Sequence, residues 1–292
     1  MMNRLAAIFL PLFLTAALGF SNDKIGITGA INWETMQIEA RVCLDLEAAG
    51  IRMPLGRTQG ERLINDEYLR LIQPVLFNLQ VDSSTTIGDL ITQGNLSLWE
   101  VEHFAFGASS VPPSLSRDLR NMSSSYVICL TRISSSLLRH TRPVEIPRTL
   151  NPVSTANYTG VIIIATESLP AHGMMGRFMP APSFFPRIWD TNMDLIFERN
   201  MLDVRAPAMV RYAPVQSIFH NSPSGLSPEL AALVGDRPLR IFARGVFGSR
   251  PTDLIIDRAD ALRIISTAEN RNLLTEGRIA IIVDDSVLRS EF

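Results

Sequence analysis

The chain has 292 residues, a formal charge of −2, 46% hydrophobic residues and 19% charged residues. This much apolar material can bury one large core or two small ones and excludes a disordered chain, and the near-neutral charge gives no attraction to nucleic acid. Of the 27 basic residues only Lys24, close to the amino terminus, is a lysine, which excludes a core lysine for Schiff-base chemistry or for a phosphate loop.

The first 19 residues have the pattern of a secretory signal peptide. Arg4 supplies the positive charge, residues 5–18 form an apolar run, and Ala17 and Gly19 are small residues at the positions that signal peptidase reads. We therefore expect cleavage near Gly19 and a periplasmic or secreted protein. No cysteine lies near this site, so we do not expect a lipoprotein, and no later run is long enough for a stable transmembrane segment.

Residues 20–150 are predicted to form an amino-terminal α+β domain. Apolar and polar residues alternate from Met36 to Leu46, which is typical of a half-buried strand. A helical stripe follows, and Pro74 should kink or divide that helix. The predicted elements after the first strand are a helix over 61–80, a short helix over 87–91, strands over 99–106 and 125–133, a loop at Val111-Pro112-Pro113 and an extended connector over 142–153.

Residues 151–292 are predicted to form a second α+β domain, so that the whole chain has mixed sheets, a few packed helices and two subdomains. Ser227 before Pro228, with Gly235 after, marks a short helix. The other predicted elements are a strand over 158–166, a long loop over 170–186, a hairpin over 186–199, a strand over 239–247, a helix over 258–274 that breaks near Asn270, and a last strand over 278–284.

Two features of these domains suggest a disulfide bond and a protein interaction site. Cys43 and Cys129 are the only cysteines, and an exported protein meets an oxidising compartment, so they are either a disulfide pair or two free thiols. The loop over 170–186 is longer than ordinary connections and contains adaptable apolar side chains between glycines. We predict an exposed interaction site there, or alternatively a loop folded back as a core plug. Its candidate residues are Met174, Met175, Arg177, Phe178 and Met179.

No motif predicts a metal or a cofactor. Asp190, Asn192 and Asp194 have the spacing of the first ligands of a calcium loop, but Leu195 and Met201 occupy the positions that need Gly and Glu. No two of the four histidines have the sequence spacing of metal ligands. The GxSxG motif of a serine nucleophile is absent. A catalytic group assembled from distant residues stays open at this stage.

The carboxy-terminal half resembles a known family in two blocks. The first is Tyr158-Thr159-Gly160-Val161-Ile162-Ile163 followed by Phe185-Pro186-Arg187-Ile188-Trp189-Asp190. The second is a closing block that includes Ala243-Arg244-Gly245-Val246, Asp253-Leu254-Ile255-Ile256, Asp260-Ala261 and Asn270 to Ile279. These blocks resemble the FlgP/FlgT-like envelope proteins associated with bacterial flagella, and the whole chain looks most like spirochaete-type members of unassigned function.

The resemblance implies a non-enzymatic periplasmic protein with a structural or scaffolding role, linked to the flagellar motor or to outer-membrane integrity. Its partners would be other envelope or flagellar proteins, with no nucleic acid, and an oligomer is compatible with this role. The family pattern contains no catalytic residue, so the resemblance assigns none to this chain. No cofactor is expected. Two alternatives remain: a secreted hydrolase whose site the fold assembles, and a periplasmic ligand-binding module that uses the loop from Met174 to Phe178.

Overall fold

The computed structural model describes residues 24–292, so the predicted signal peptide lies outside the described residues. The fold is α+β with two domains whose hydrophobic cores are continuous. The first domain has an antiparallel five-stranded sheet in the order β14-β1-β2-β4-β3. Its elements are β1 (Ile25–Asn32), β2 (Gln37–Asp45), α1 (Arg57–Phe77), α2 (Ile87–Thr92), α3 (Leu98–Phe106), β3 (Ser109–Leu115), β4 (Asn121–Cys129) and α4 (Leu130–Ser136), joined by the much later strand β14 (Arg289–Glu291).

The second domain has a seven-stranded mixed sheet in the order β10-β13-β5-β11-β12-β8-β9 and a separate two-stranded hairpin, β6-β7. Its elements are β5 (Val161–Ala165), β6 (Leu169–Pro170), β7 (Arg177–Phe178), β8 (Ile188–Asp190), β9 (Leu195–Phe197), β10 (Arg211–Pro214), α5 (Pro228–Val234), β11 (Leu239–Phe247), β12 (Asp253–Ile256), α6 (Arg258–Ile265), α7 (Ala268–Thr275), β13 (Ile279–Val283) and α8 (Asp285–Leu288).

Strand β2 shows how the alternating pattern builds the first domain. Its even-numbered residues from Ile38 to Leu44 are buried against α1, and its odd-numbered residues face outward. The stripe of α1 that packs on this sheet runs from Ile64 to Leu76. Pro74 lies inside the last turn of α1, which continues to Phe77, so of the two expected outcomes, a kink or a division, the division does not occur.

The sheet of the second domain has helices on both faces. Strands β10, β13, β5 and β11 are parallel to one another, which requires a crossover connection between each pair. Alternate residues of β5 pack into different cores: Val161 and Ile163 join the main core with α6 and α7, whereas Ile162 packs with Leu230 and Val234 of α5.

The two domains are joined by chain segments that cross between them. Strand β14, after the predicted last strand, returns to the first domain and pairs with β1, with Glu291 opposite Ala30. The ring of Trp33 lies 5.3 Å from that of Phe184, centroid to centroid. The backbone N–H groups of Phe184 and Phe185 donate to carbonyls of the first domain, at Gln80 and Val81. Backbone pairing and aromatic packing therefore both connect the domains.

Several predicted elements in the first domain are wrong. Residues 99–106 form a helix rather than a strand, because Ser97 and Glu100 make a capping box and Val101 and Ala105 are buried one helical turn apart. The predicted loop at Val111-Pro112-Pro113 lies in edge strand β3, where a bulge accommodates the prolines. The strand predicted over 125–133 ends at Cys129, and α4 follows it.

Candidate functional site

The loop predicted to bind partners contains a hairpin that projects from the second domain. Strands β6 and β7 pair through Leu169 with Phe178 and Pro170 with Arg177. The turn between them needs the left-handed backbone, with φ of +77° at Gly173 and +114° at Gly176. Glycine adopts these angles without the steric cost that a Cβ atom brings. The two glycines therefore allow the chain to reverse within a few residues and to present the side chains between them.

The base of this hairpin is fixed to the central sheet. Ala171 forms a parallel bridge with Val246 of β11, and the N–H of His172 donates to the carbonyl of Val246 at 2.9 Å. The His172 ring lies edge-on to Phe247, with centroids 5.9 Å apart. The guanidinium of Arg177 donates to the carbonyl of Ser168 and ties the two strands together. A rigid sheet thus holds an exposed tip.

The tip is apolar and solvent-exposed. Met175 is 98% exposed, Met174 is 44% exposed and Phe178 is 39% exposed. Arg177 is also exposed, whereas Met179 is half-buried. Large apolar side chains usually avoid such exposure when they cluster, and methionine adapts to differently shaped partners. The tip defined by residues 172–178, called the Met hairpin below, has the chemistry of a contact surface.

The second half of the predicted loop differs from the first. Residues 182–186 are all buried, and Phe184 and Phe185 are only 3% and 2% exposed. They pack at the junction of the two domains, where the backbone bonds to Gln80 and Val81 hold them. The expectation that the whole segment over 170–186 is an exposed loop is therefore wrong for this half, because apolar aromatic residues there fill the space between domains.

The two cysteines lie on neighbouring strands but at opposite ends. Cys43 of β2 is opposite Ser123 of β4, whereas Cys129 of β4 is opposite Gln37 of β2. This register separates them by six residues along the strand, about 20 Å at roughly 3.3 Å per residue. A disulfide needs Cα atoms within about 7 Å. Both thiols are free, and the disulfide alternative is wrong in this fold.

Two of the four histidines pack on aromatic rings, and a third makes a hydrogen bond. The ring of His103 stacks on Trp99 at 5.5 Å, and His172 contacts Phe247 as described above. A ring nitrogen of His140 bonds the carbonyl of Leu202 at 2.7 Å. His220 is exposed beyond β10.

The acidic turn that mimics a calcium loop is held by a cation of the protein itself. Asp190 is fully buried, and its Oδ1 accepts the backbone N–H groups of Asn192 and Asp194, both at 2.9 Å. The guanidinium of Arg258 contacts the other oxygen of Asp190 and lies 2.7 Å from Asp194 Oδ2. Arginine thus takes the place where a metal would neutralise the carboxylates.

Sequence reasoning missed a buried polar group at the domain junction. Asp253 is fully buried and accepts hydrogen bonds from Ser83 Oγ at 2.9 Å, from the Arg187 N–H at 3.0 Å and from Trp189 Nε1 at 3.3 Å. Burial raises the pKa of the Asp253 carboxyl, and the three donors oppose that rise. The sequence signal that would reveal this residue is an aspartate directly before the buried apolar run Leu254-Ile255-Ile256.

Within residues 24–292, no group of three or more His, Cys, Asp or Glu side chains is arranged to hold a metal ion. None of the helices in that part of the chain combines the length and the hydrophobicity that crossing a bilayer requires.

Comparison with known proteins identifies both domains. Residues 24–136 match the family model of the N-terminal domain of Treponema pallidum Tp0624, and residues 160–285 match the model of the second domain of that protein. The two matched segments follow in the same order as in Tp0624 and leave the extended connector between them. No curated protein matches the chain in sequence.

Proposed function

The chain carries the N-terminal and second domains of the spirochaete family of Tp0624, and from this premise we propose that it is a non-enzymatic envelope protein with a structural or scaffolding role. It acts through protein contacts and not through chemistry on a substrate. The proposal extends to its location: the signal-peptide pattern favours export, and the resemblance to flagellum-associated envelope proteins favours partners in the flagellar motor or the outer membrane.

The observation that carries this proposal is the Met hairpin. Its tip exposes Met174, Met175 and Phe178, while its base is bonded to β11 of the central sheet. A side chain such as that of Met175, which is 98% exposed, contributes nothing to the core, so its apolar character has no role in folding stability. A partner surface that buries these three side chains would gain roughly 25 cal/mol for each Å² of apolar area removed from water.

The contacts of two of the histidines are those of packing residues. The ring of His103 stacks on Trp99, and the ring of His172 lies edge-on to Phe247. A general base must be within about 2.6–3.2 Å of the proton that it takes, directly or through one water. The geometry of these two histidines therefore suits packing better than proton transfer.

Crosslinking followed by co-purification tests the proposal. The chain with Met174→Ser, Met175→Ser and Phe178→Ser should lose the partners that the unchanged chain captures from crosslinked cells. A matched control is Leu55→Ser with Leu150→Ser, because both leucines are 97% exposed and lie far from the hairpin in the sequence. The control should keep the partners. Equal capture by the hairpin variant and the unchanged chain would refute the proposed contact surface.

A further inference from the structure

Helix α3 exposes apolar side chains where a surface helix ordinarily carries charge. Its four exposed residues are Leu98, Trp99, His103 and Phe106. Trp99 is 69% exposed and Phe106 is 67% exposed. The outer face of a helix in a globular protein is usually polar, whereas a helix that is apolar on every side is buried. The outer face of α3 therefore has the composition of a surface that something else covers.

The helical form of this segment brings the aromatic rings to one side. Val101 and Ala105 are buried, and Trp99, His103 and Phe106, spaced by four and three residues, lie on the opposite face. The rings of Trp99 and His103 stack, with centroids 5.5 Å apart and an interplanar angle of 18°. In a strand, Phe106 would lie on the other face from Trp99. The residues Trp99, His103 and Phe106 are called the aromatic stripe below.

Helix α1 of the same domain shows the ordinary pattern. Its exposed residues between positions 62 and 70 are all polar, namely Arg62, Asn65, Asp66 and Arg70. Its buried residues, such as Ile64 and Tyr68, face the sheet. The aromatic stripe is thus particular to α3 and is not a general property of the helices in this domain.

The two carboxylates of α3 are turned to partners within the domain. Glu100 completes the capping box with Ser97 and pairs with Arg139, whose Nη2 lies 2.8 Å from Glu100 Oε1. Glu102 accepts a 3.4 Å hydrogen bond from Gln73 Nε2 of α1. Neither glutamate is among the exposed residues of the helix. The exposed face of α3 therefore carries no negative charge that would repel an anionic surface.

An exposed arginine lies at each end of the stripe. Arg139 reaches Glu100 in the first turn of α3. Arg132 is at the other end, where its Nη1 donates to the carbonyl of Gly107, the residue that follows the helix, at 3.3 Å. A carbonyl group is uncharged, so this bond leaves the positive charge of Arg132 in place. Guanidinium groups donate paired hydrogen bonds to phosphate oxygens. The stripe is thus flanked by groups that recognise phosphate.

The size of the stripe favours a lipid surface over a second protein. A fully buried aromatic side chain contributes about 150–250 Å², so the exposed parts of Trp99 and Phe106 offer roughly 200–350 Å². A stable protein interface buries about 800 Å² on each partner. An interfacial helix binds a membrane through a few inserted apolar side chains together with attraction of basic residues to anionic lipids. Tryptophan is also enriched at the depth of the lipid headgroups.

We propose that α3 docks the protein on the surface of a membrane that contains anionic phospholipid. The rings of Trp99 and Phe106 enter the headgroup region, and the guanidinium groups of Arg132 and Arg139 contact the phosphates. Membrane docking goes beyond the proposed protein contacts, because the stripe and the Met hairpin are separate surfaces and pure lipid vesicles contain no protein partner. The failure of either proposal therefore leaves the other untouched.

Fluorescence quenching of the full chain by vesicles with brominated acyl chains tests the proposal. Vesicles of equimolar brominated phosphatidylcholine and phosphatidylglycerol should quench Trp99, and the Trp99→Phe chain should lose this quenching, since Trp33 is buried and Trp189 is half-buried. Vesicles of brominated phosphatidylcholine alone should quench Trp99 less. Absence of any quenching that depends on Trp99, or equal quenching by the two kinds of vesicle, would overturn the proposal.

A matched pair of double variants shows whether α3 itself makes the contact. Phe106→Gln with Arg132→Gln keeps Trp99 as the reporter and should lower its quenching several-fold. Leu55→Gln with Arg148→Gln makes the same two changes at other exposed positions and should not. Residues 1–23 are identical in both chains, so any membrane contact that they make cancels in the comparison. Equal quenching in the two double variants would overturn the proposal.

Two further measurements separate membrane docking from unfolding and from self-association. Arg132→Gln alone leaves the stripe intact and should lower the quenching only with vesicles that contain phosphatidylglycerol. Thermal melts of the two double variants should coincide, because all the replaced residues are exposed. Sedimentation equilibrium tests a second copy as the occupant. A dimer that Trp99→Gln with Phe106→Gln abolishes, without quenching by either vesicle, would assign the stripe to self-association instead.

Discussion

Ser83 Oγ donates a 2.9 Å hydrogen bond to Asp253 Oδ2, although 170 positions separate the two residues in the chain. The carbonyl of Ser83 also accepts the N–H of Arg250 at 3.0 Å and the hydroxyl of Ser249 at 2.8 Å. A Cβ atom on Gly248 would lie 2.3 Å from that of Ser83, so only glycine allows this approach. The loop of the first domain is thus bonded to the second domain by directional contacts, which fix how the two meet.

Replacing Ser83 with alanine should destabilise the whole chain. The change removes a donor from a buried carboxylate, and an unsatisfied buried group costs about 1–3 kcal/mol. The matched control is Ser84→Ala, because Ser84 is exposed and bonds only within its own turn, to Asp82. The control should change the free energy of unfolding by less than about 0.5 kcal/mol. Urea unfolding measures both, and equal effects would show that the junction does not depend on this bond.

The raised pKa of Asp253 predicts a pH dependence of stability. The folded chain holds the Asp253 proton more tightly than the unfolded chain, where the pKa is near its ordinary value of 3.8. The contribution of Asp253 to the free energy of unfolding therefore falls as pH rises from about 3.8 to the folded pKa, and is constant above it.

The Asp253→Asn chain has no titratable carboxyl at this position. Its free energy of unfolding should therefore lack the decrease with pH that Asp253 causes. We expect the difference in free energy of unfolding, unchanged chain minus variant, to decrease with rising pH in that window. Asp82, whose pKa is lowered, acts in the opposite direction, but it is present in both chains and cancels in the difference. Urea unfolding at a series of pH values gives the curve, and a difference that rises with pH would contradict the assigned direction.

Two phenylalanines six positions apart should respond differently to truncation. Phe184 is 3% exposed at the domain junction, whereas Phe178 is 39% exposed on the Met hairpin. Phe184→Ala should lower the free energy of unfolding by about 3–5 kcal/mol, because it removes a buried ring and leaves a cavity. Phe178→Ala should change it by roughly 0.5 kcal/mol or less. A thermal melt compares them, and a large loss for Phe178→Ala would mean that the hairpin belongs to the core.

The contact between Arg258 and Asp190 should contribute more to stability than any added calcium. Arg258→Ala leaves a buried carboxylate without its cation, but Asp190 keeps two backbone donors and Arg258 is 37% exposed, so we expect a loss of about 1–3 kcal/mol. Arg263→Ala removes an exposed pair with Asp260 and should cost less than about 0.5 kcal/mol. Excess calcium should not raise the melting temperature of the unchanged chain; a clear rise would revive the metal-loop interpretation.

Local sequence patterns determined many of the elements. Alternation of apolar residues predicted β2, and the strand predicted over 239–247 is observed with the same bounds. Ser227, Pro228 and Gly235 together predicted α5, because capping and left-handed backbone preferences act within a few residues. Short apolar runs were ambiguous: Trp99–Phe106 lacks a distinctive period, and only the capping box formed by Ser97 and Glu100 distinguishes helix from strand.

Contacts between distant residues were decided only in the tertiary structure. The pairing of β14 with β1, the bond between Ser83 and Asp253 and the position of β10 at the end of its sheet depend on which strands become neighbours, and strand neighbours are set by the packing of whole sheets. The same holds for Cys43 and Cys129. Both lie in one sheet, but the strand register keeps them apart. Residue types indicate what each side chain can bond to, whereas burial and register determine which partner it meets.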